Sequence, residues 1–441
     1  MRRLHPSLAK LSAGTMTDAP PAPALTDCQP VWRCLACDHA GLSLVLDLGA
    51  QTLANDYLPQ ASDSAPRYPL ALNHCPACGH GQLSHFVSPE RLFGHYLYAS
   101  GTSQTLLRYF DWFAQACLSV VPAGARVLDI ASNDGSLLQA LKAAGMDVLG
   151  IDPARNLAHA AQQRGLPTLC DFWPSDQLAP EARFELIMGQ NVLAHTPTPH
   201  AFLQAVQRHL RPTGLCLIQT SQAQMLDHGE FDTIYHEHHS FFTPRSMAVL
   251  AQRSGLALRA VHRVAIHGNS WLFVLSHPGV SGVATGAWDA PPFGMGALSA
   301  PELQALQAPA PDANTRAQPY ARFRDQALAR IQAVQDHIAQ HKAQGLRICF
   351  VGAAAKAVVF MQAAGIVPEA ILDEAPLKIG QFIPGLPTPV QAFTDVVDMQ
   401  GACLFVIAAW NFRAEIEAKI RRLRPSGGDV FLCYFPQVEI S

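Results

Sequence analysis

The sequence predicts an α/β protein in three parts: a small cysteine-bearing unit followed by two doubly wound sheets. Three observations carry this. Two Cys-x-x-Cys pairs, Cys34/Cys37 and Cys75/Cys78, stand near the start. Short apolar runs alternate with helical patterns twice over, the repeat expected of mostly parallel sheets with helices on both faces. A chain of 441 residues exceeds what one hydrophobic core organises, so it divides into domains. The divisions read as a disordered extension over residues 1–26, a metal-binding unit over 27–95, a first α/β unit over 96–280, a linker over 281–318 and a second α/β unit over 319–441.

The extension is rich in Ala and Pro. Its basic start, Met1-Arg2-Arg3, is not followed by an apolar signal core, so a cytoplasmic location is expected. Composition fits a folded globular chain, 49% hydrophobic and 15% charged. A net charge of −3 lacks the basic excess a nucleic-acid binder needs. The longest apolar run, Ile348 to Ile366, contains Lys356 and two glycines, so it reads as a buried strand entering a helix and no membrane span is expected.

In the metal-binding unit the two knuckles can each present two sulfurs to one face of a tetrahedral ion, and zinc is the metal expected on Cys34, Cys37, Cys75 and Cys78. Eleven cysteines in a cytoplasmic chain argue for thiols and metal over disulfides. Four thiolates close the coordination sphere and leave no place for a reactive water, so the metal is structural. Cys28, His39, His74 and His80 do not improve the spacing and are expected at the surface.

The first α/β unit follows a connection containing Tyr96, Tyr98, Ser100 and Ser103. Arg126–Ile130 is a short strand, Ala131-Ser-Asn-Asp-Gly135 a tight turn, and Leu137, Leu138 and Leu141 one face of a helix that Gly145 ends. Val148–Ile151 is the next strand, stopping at Asp152-Pro153. Later strands are expected at Glu185–Met188, Leu215–Ile218 and Trp271–Leu275. Asp129, Ala131, Asn133 and Gly135 form a turn over which a ligand can approach the backbone, and Asp152 can accept hydrogen bonds from both hydroxyls of a ribose. The turn lacks a full G-x-G-x-x-G, which favours S-adenosylmethionine over a dinucleotide. Asp171 and Phe172, after the third strand, are placed for the adenine end. Asn191-Val-Leu-Ala-His195, at the end of another strand, brings a further imidazole to the same rim.

The stretch Phe231-Asp-Thr-Ile-Tyr235-His-Glu-His238-His239-Ser-Phe-Phe242 is the least ordinary. It packs three histidines, a carboxylate and a phenol into five positions, all able to exchange protons near neutral pH. A surface loop or a second metal site are the plainer alternatives, although the segment does not read as a helix carrying H-E-x-x-H. Beyond the Pro-, Gly-, Ala- and Ser-rich linker, a long helix is expected from Tyr320 to about Gln344. The second α/β unit then opens with strand Arg347–Val351, the turn Gly352–Lys356 and a strand ending at Asp373. Lys356, near a helix start, is either an exposed helix lysine or a partner for a diphosphate.

These residues resemble the sugar C-3 methyltransferases of deoxysugar biosynthesis. The likeness runs from the cysteine knuckles through Asp129–Gly135, Asn191–His195, Phe231–His238 and Ile266-His-Gly268. It continues into Gly352-x-x-x-Lys356, Asp373, Lys378-x-Gly380, Pro384-Gly385 and Trp410-Asn411. It covers nearly the whole chain from Cys34 and implies a small zinc-binding domain, a central class I (Rossmann-like) S-adenosylmethionine methyltransferase domain and a C-terminal Rossmann-like α/β domain. By similarity the substrate is a TDP-linked 4-keto-6-deoxysugar, methylated beside its ketone through an enolate. His238 is then the general base, with Tyr235 and Glu237 orienting it or completing a proton relay. His195 stabilises the enolate oxygen or exchanges its proton, and Tyr96 or Tyr98 closes over the substrate. Lys356, Lys378, Trp410 and Asn411 are expected to bind the nucleotide sugar. An imidazole base predicts a rate that falls with acidity before pH 5 is reached.

Three positions depart from the family pattern: Gln219 for Glu, Asn269 for a second Gly, and Leu272 for Arg. An N- or O-methyltransferase on a related nucleotide sugar or natural product remains an alternative, as does a non-catalytic zinc-ribbon scaffold. Monomer and homodimer are both open.

Overall fold

The computed structural model describes residues 27–62, 65–93, 100–283, 285–308, 312–425 and 428–441. The expected extension over residues 1–26 lies outside them.

The N-terminal unit contains five strands: β1 (Cys28–Pro30), β2 (Ser43–Gln51), β3 (Tyr68–His74), β4 (Gly81–Leu83) and β5 (His85–Val87). In β3 the alternate residues Tyr68, Leu70, Leu72 and His74 are buried, the period of two expected of a strand with one face on a core. Both cysteine knuckles close in the same way. Cys34 N–H donates to His39 O at 2.9 Å and Asp38 N–H to Cys34 O at 2.8 Å; Cys75 N–H donates to His80 O at 2.8 Å and Gly79 N–H to Cys75 O at 2.9 Å. Asp38 and Gly79, equivalent in the two turns, both take the left-handed backbone that such a turn requires. His74 and His80 are buried, contrary to the surface position expected. Their side of the turn packs under a long helix, with the His74 ring 5.0 Å from that of Tyr320.

The central unit adds β6 (Arg126–Ile130), β7 (Asp147–Ile151), β8 (Thr168–Leu169), β9 (Phe184–Gln190), β10 (Leu210–Thr220), β11 (Ser240–Phe241), β12 (Ala257–Val264), β13 (Ser270–Ser276) and β14 (Gly294–Ala297). Eight of these form one sheet in the order β8-β7-β6-β9-β10-β13-β12-β14. The run from β8 to β10 is parallel, and β13, β12 and β14 are antiparallel additions. Alternate residues of β6 enter opposite cores: Val127 on one face, Leu128 and Ile130 on the other. Both faces are covered, which is why the strand reads as a continuous apolar run. The order reverses between β6 and β9, and ligands of such sheets sit outside the strand ends at that point.

Two sequence expectations change here. The segment 281–318 is not an irregular linker: it contributes edge strand β14, and Trp288 is fully buried in the central core. Gly294 reflects close approach, since a Cβ there would lie 2.2 Å from the Asp289 backbone. The long helix spans Ala313–Ala343 and starts earlier than expected, because Asp312 caps it by accepting from the N–H groups of Asn314 and Thr315. Pro319 lies inside the helix and costs it one N–H donor.

The C-terminal unit holds β15 (Arg347–Val351), β16 (Ala370–Asp373), β17 (Val390–Ala392), β18 (Cys403–Ile407), β19 (Val430–Cys433) and β20 (Glu439–Ile440), ordered β17-β16-β15-β18-β19-β20. Only β20 is antiparallel to its neighbour. One core joins all three units: Leu46 and Leu70, then Phe231 and Ile234, then Phe323, Phe350 and Phe360. The unusual string therefore sits where the units meet. No helix of the described residues is long and apolar enough to cross a membrane.

Candidate active site

At the reversal point of the central sheet lies a cavity of about 460 Å³, within the range of small-molecule pockets. Asp152 closes its floor, with Oδ2 accepting from Asn133 N–H and Oδ1 from Ala154 N–H, both at 2.8 Å. Gly135 has φ +80°, and a Cβ there would lie 2.6 Å from Leu166 Cδ1, so only glycine fits the turn. Four residues lining the cavity, Ala131, Asn133, Asn191 and His267, hold a left-handed backbone without being glycine. Strain of this kind gathers where a backbone is shaped for a ligand. Asp129 is buried at the cavity wall with Oδ1 unpartnered, and burial beside Asp152 raises its pKa well above the usual carboxylate range. An unpaired oxygen at this wall suits a ligand's ammonium group. Asp171 and Phe172 line the cavity as expected, as does His195.

The string comes next. Phe231–Thr233 forms one 3-10 turn, and His238 N–H donates to Tyr235 O at 2.9 Å, folding the phenol back over the imidazole. His238 Nδ1 stands 2.8 Å from Thr233 O. A carbonyl only accepts, so Nδ1 carries the proton and Nε2 presents its lone pair. That lone pair meets Tyr235 Oη at 2.8 Å. The His195 ring lies edge-on 4.8 Å from that of His238, linking the couple to the cavity. Burial, reinforced by His195, pushes the His238 pKa well below 6.5; burial brings His195 down to about 4. Both rings are neutral at neutral pH. Glu237 Oε1 accepts from Asn55 Nδ2 at 2.7 Å. The string is buried, not a surface loop. Among the described residues the four cysteines are the group of potential ligands clustered closely enough to hold a metal.

Lys356 lies in the first turn of helix Ala355–Ala364, with Nζ 3.6 Å from Glu230 Oε2 and 5.4 Å from the Trp410 ring centre. Its side chain is 26% exposed, unlike a free surface lysine, and its charge helps depress the basicity of His238 and His267. Lys378 Nζ donates to Ala353 O at 2.9 Å and lies 3.5 Å from Asp373 Oδ2, engaged in its own turn. Asp373 accepts from Ala353 and Ala375 N–H groups, repeating the role of Asp152 in the first sheet. Tyr96, Tyr98 and the Asn411 side chain lie outside the described residues.

The four cysteine sulfurs lie within 4.8 Å of one another, with Cys34–Cys78 at 3.6 Å and Cys37–Cys75 at 3.5 Å. Zinc–sulfur bonds of about 2.3 Å in a tetrahedron separate sulfurs by about 3.8 Å, so the donor set fits Zn²⁺.

Sequence reasoning did not single out His267 and Gln219 as site residues, although both line the cavity. The Ile266-His-Gly segment was the available signal for the first. Gln219 stands opposite Leu272 in the β10–β13 register, and its Nε2 donates to Ser270 Oγ at 2.6 Å. The two departures from the charged pattern are therefore partners across one strand pair. Replacing both together leaves no buried charge unpaired. Asn269, the third departure, hydrogen-bonds Gln224.

Three family models match the chain in series: a zinc binding domain over residues 34–93, a methyltransferase domain over 103–261 and a C-methyltransferase C-terminal domain over 299–436. The chain is also 27% identical over 416 residues to C-methyltransferase NovU of Streptomyces niveus, covering 91% of this chain and 94% of that one. The chain thus carries, in series, regions similar to a zinc binding domain, a methyltransferase domain and a C-methyltransferase C-terminal domain. It is an S-adenosylmethionine-dependent methyltransferase, not a bare scaffold. A ubiquinone biosynthesis O-methyltransferase of Paramagnetospirillum magneticum is 26% identical to this chain over 201 residues, 42% of this chain and 76% of that one. The solved CcbJ methyltransferase of Streptomyces caelestis has a TM-score of 0.33 at 12% identity, over 38% of this chain and 89% of that one.

Proposed function

We propose that the methyl acceptor is the carbon beside the ketone (C-3) of a TDP-linked 4-keto-6-deoxysugar, and that the Tyr235–His238 couple removes its proton. The observation that carries this reading is the 2.8 Å contact between Tyr235 Oη and the bare Nε2 of His238. A hydrogen beside a ketone is acidic, and a positioned base contributes about 10²- to 10⁴-fold to its removal. Tyr235 is half-buried and His238 buried. Tyr235 Oη takes the carbon's proton while passing its own to His238 Nε2, leaving an enolate. The Nδ1–H···O=C bond to Thr233 holds the imidazole in the receiving tautomer and supports the imidazolium that forms. His195, neutral, donates to the enolate oxygen. S-adenosylmethionine, held by Asp152 and the turn at Gly135, supplies an electrophilic methyl group. Lys356 faces the substrate diphosphate, and Trp410 flanks it.

The test incubates the enzyme with a TDP-4-keto-6-deoxyglucose derivative in deuterated water, with methyl-labelled S-adenosylmethionine or with S-adenosylhomocysteine. The expected results are a labelled methyl on carbon in the first case and deuterium at that carbon in the second. A label on oxygen or nitrogen, with no deuterium exchange, would overturn the reading and favour N- or O-methylation. The couple also sets the pH dependence. His238 must be neutral to accept, and its pKa is lowered by burial, so the neutral form persists below pH 6.5. Under saturating substrate, kcat is expected to stay level from pH 8 down past 6.5 and to fall only in more acid solution. A fall centred at 6.5 would show an exposed imidazole at work instead.

A further inference from the structure

The catalytic string rests on the N-terminal unit. His236 Nε2 lies 3.2 Å from Tyr68 O. Glu237 is held by Asn55. The His239 ring stacks on Phe86 at 4.4 Å, and its carbonyl accepts from Leu83 N–H at 3.0 Å. Ser240 and Phe241 are β11, which pairs with Gln82 and Gly81 of β4 and so completes the N-terminal sheet. His80 Nε2, two residues beyond Cys78, reaches Ser240 Oγ at 3.2 Å. Each residue from His236 to Phe241 except His238 is thus gripped by the unit that carries the cysteines.

We infer that the zinc-binding unit positions the proton-transfer couple, and that Gln82 is the positioning residue through which both cysteine knuckles do so. Gln82 is fully buried. Its Oε1 accepts from Leu35 N–H at 2.9 Å and its Nε2 donates to Arg33 O at 3.1 Å, both in the first knuckle. Its backbone continues directly from the second knuckle and lies opposite Ser240 in the β4–β11 register. One side chain therefore joins the first knuckle to the strand that the second knuckle launches, two residues from His238. The knuckles are rigid once four thiolates share one ion, and that rigidity passes to the string over a short path. This matters because a proton transfer is sensitive to misplacement of about 1 Å. The cofactor cavity, walled by β6, β7 and β9, contains none of these N-terminal contacts. The inference rests on the Tyr235–His238 reading above.

Gln82→Met, which keeps the bulk and removes both hydrogen bonds, is the test, with Asn55→Ala as a second variant that leaves the knuckles intact. Expected for both are one zinc per chain, S-adenosylmethionine affinity within twofold of the parent, kcat lower by tenfold or more at unchanged KM for the cofactor, and shifted NMR signals of the His238 ring. Unchanged kcat and unchanged ring signals would overturn the inference, as would a loss of zinc and cofactor affinity in step with kcat, which marks general unfolding. If Gln82→Met does not fold, Asn55→Ala decides by the same readouts. Should His238→Asn keep its turnover, the base assignment falls, while the ring signals in the two variants still decide the positioning claim.

Discussion

His238→Asn is expected to lower kcat by about 10²- to 10⁴-fold, the range of a lost general base, while S-adenosylmethionine binds within twofold of the parent. The separation of the two effects follows from geometry. His238 is buried in the string beneath Tyr235 and is absent from the cavity wall, which is built by Asn133, Asp152 and the ends of β6 and β9. An asparagine amide can still donate to Thr233 O, so the turn closes as before. It offers Tyr235 no nitrogen lone pair that could hold a proton, and the phenol loses the base that makes it an acceptor. Single-turnover kinetics beside equilibrium binding of the cofactor check this. Loss of cofactor affinity as large as the loss of turnover would mean that the imidazole supports the cavity, and near-parent turnover would mean that another group takes the proton.

Cys75→Ser is expected to abolish stoichiometric zinc binding and to lower the unfolding temperature by on the order of 10 °C. Cys75 is fully buried and shares a core with Phe242 and Met247 of the central unit, so the loss is not confined to an appendage. Structural zinc contributes about 10–16 kcal/mol to isolated zinc-finger peptides, and even a fraction of that equals several kcal/mol here. A unit of about 150–250 residues, the size of the central one, responds by about 2–4 °C per kcal/mol. A metal titration and a thermal unfolding curve measure both quantities, and a chain that keeps one zinc at an unchanged unfolding temperature would contradict the tetrathiolate assignment.

Much of this architecture is legible in the residues because it rests on local chemistry. Paired cysteines need no tertiary context to be recognised, and neither does an acid at the end of a strand before a small-residue turn. Asp152 and Gly135 lie where they were expected for that reason. What escaped depends on partners far along the chain. β11 is two residues long and carries no period, so its pairing with β4 is invisible from Ser240 and Phe241 alone. His74 and His80 read as surface residues because a polar side chain ordinarily is one; Tyr320 of the long helix covers the first, and Ser240 and Phe242 of the central unit cover the second. The burial of His238, which lowers its pKa, is likewise a property of units meeting that the local sequence does not carry. Strand β14 was hidden by its glycines, of which Gly294 is required by the approach of the Asp289 backbone.

The string's contacts also bear on the order in which the protein acquires activity. Its partners Asn55, Tyr68 and His80 lie 182, 168 and 160 positions earlier. Phe231, at its head, packs on Phe360 and Phe435, well over a hundred positions later. Contacts this distant form slowly, since a long loop must close before any of them contributes. During synthesis the cofactor cavity can be complete once β14 has left the ribosome, because its walls are all encoded by then. The floor beneath the proton-transfer couple waits for β15 through β19. Under the mechanism proposed above, a partly made chain can hold its methyl donor before it is able to form the enolate.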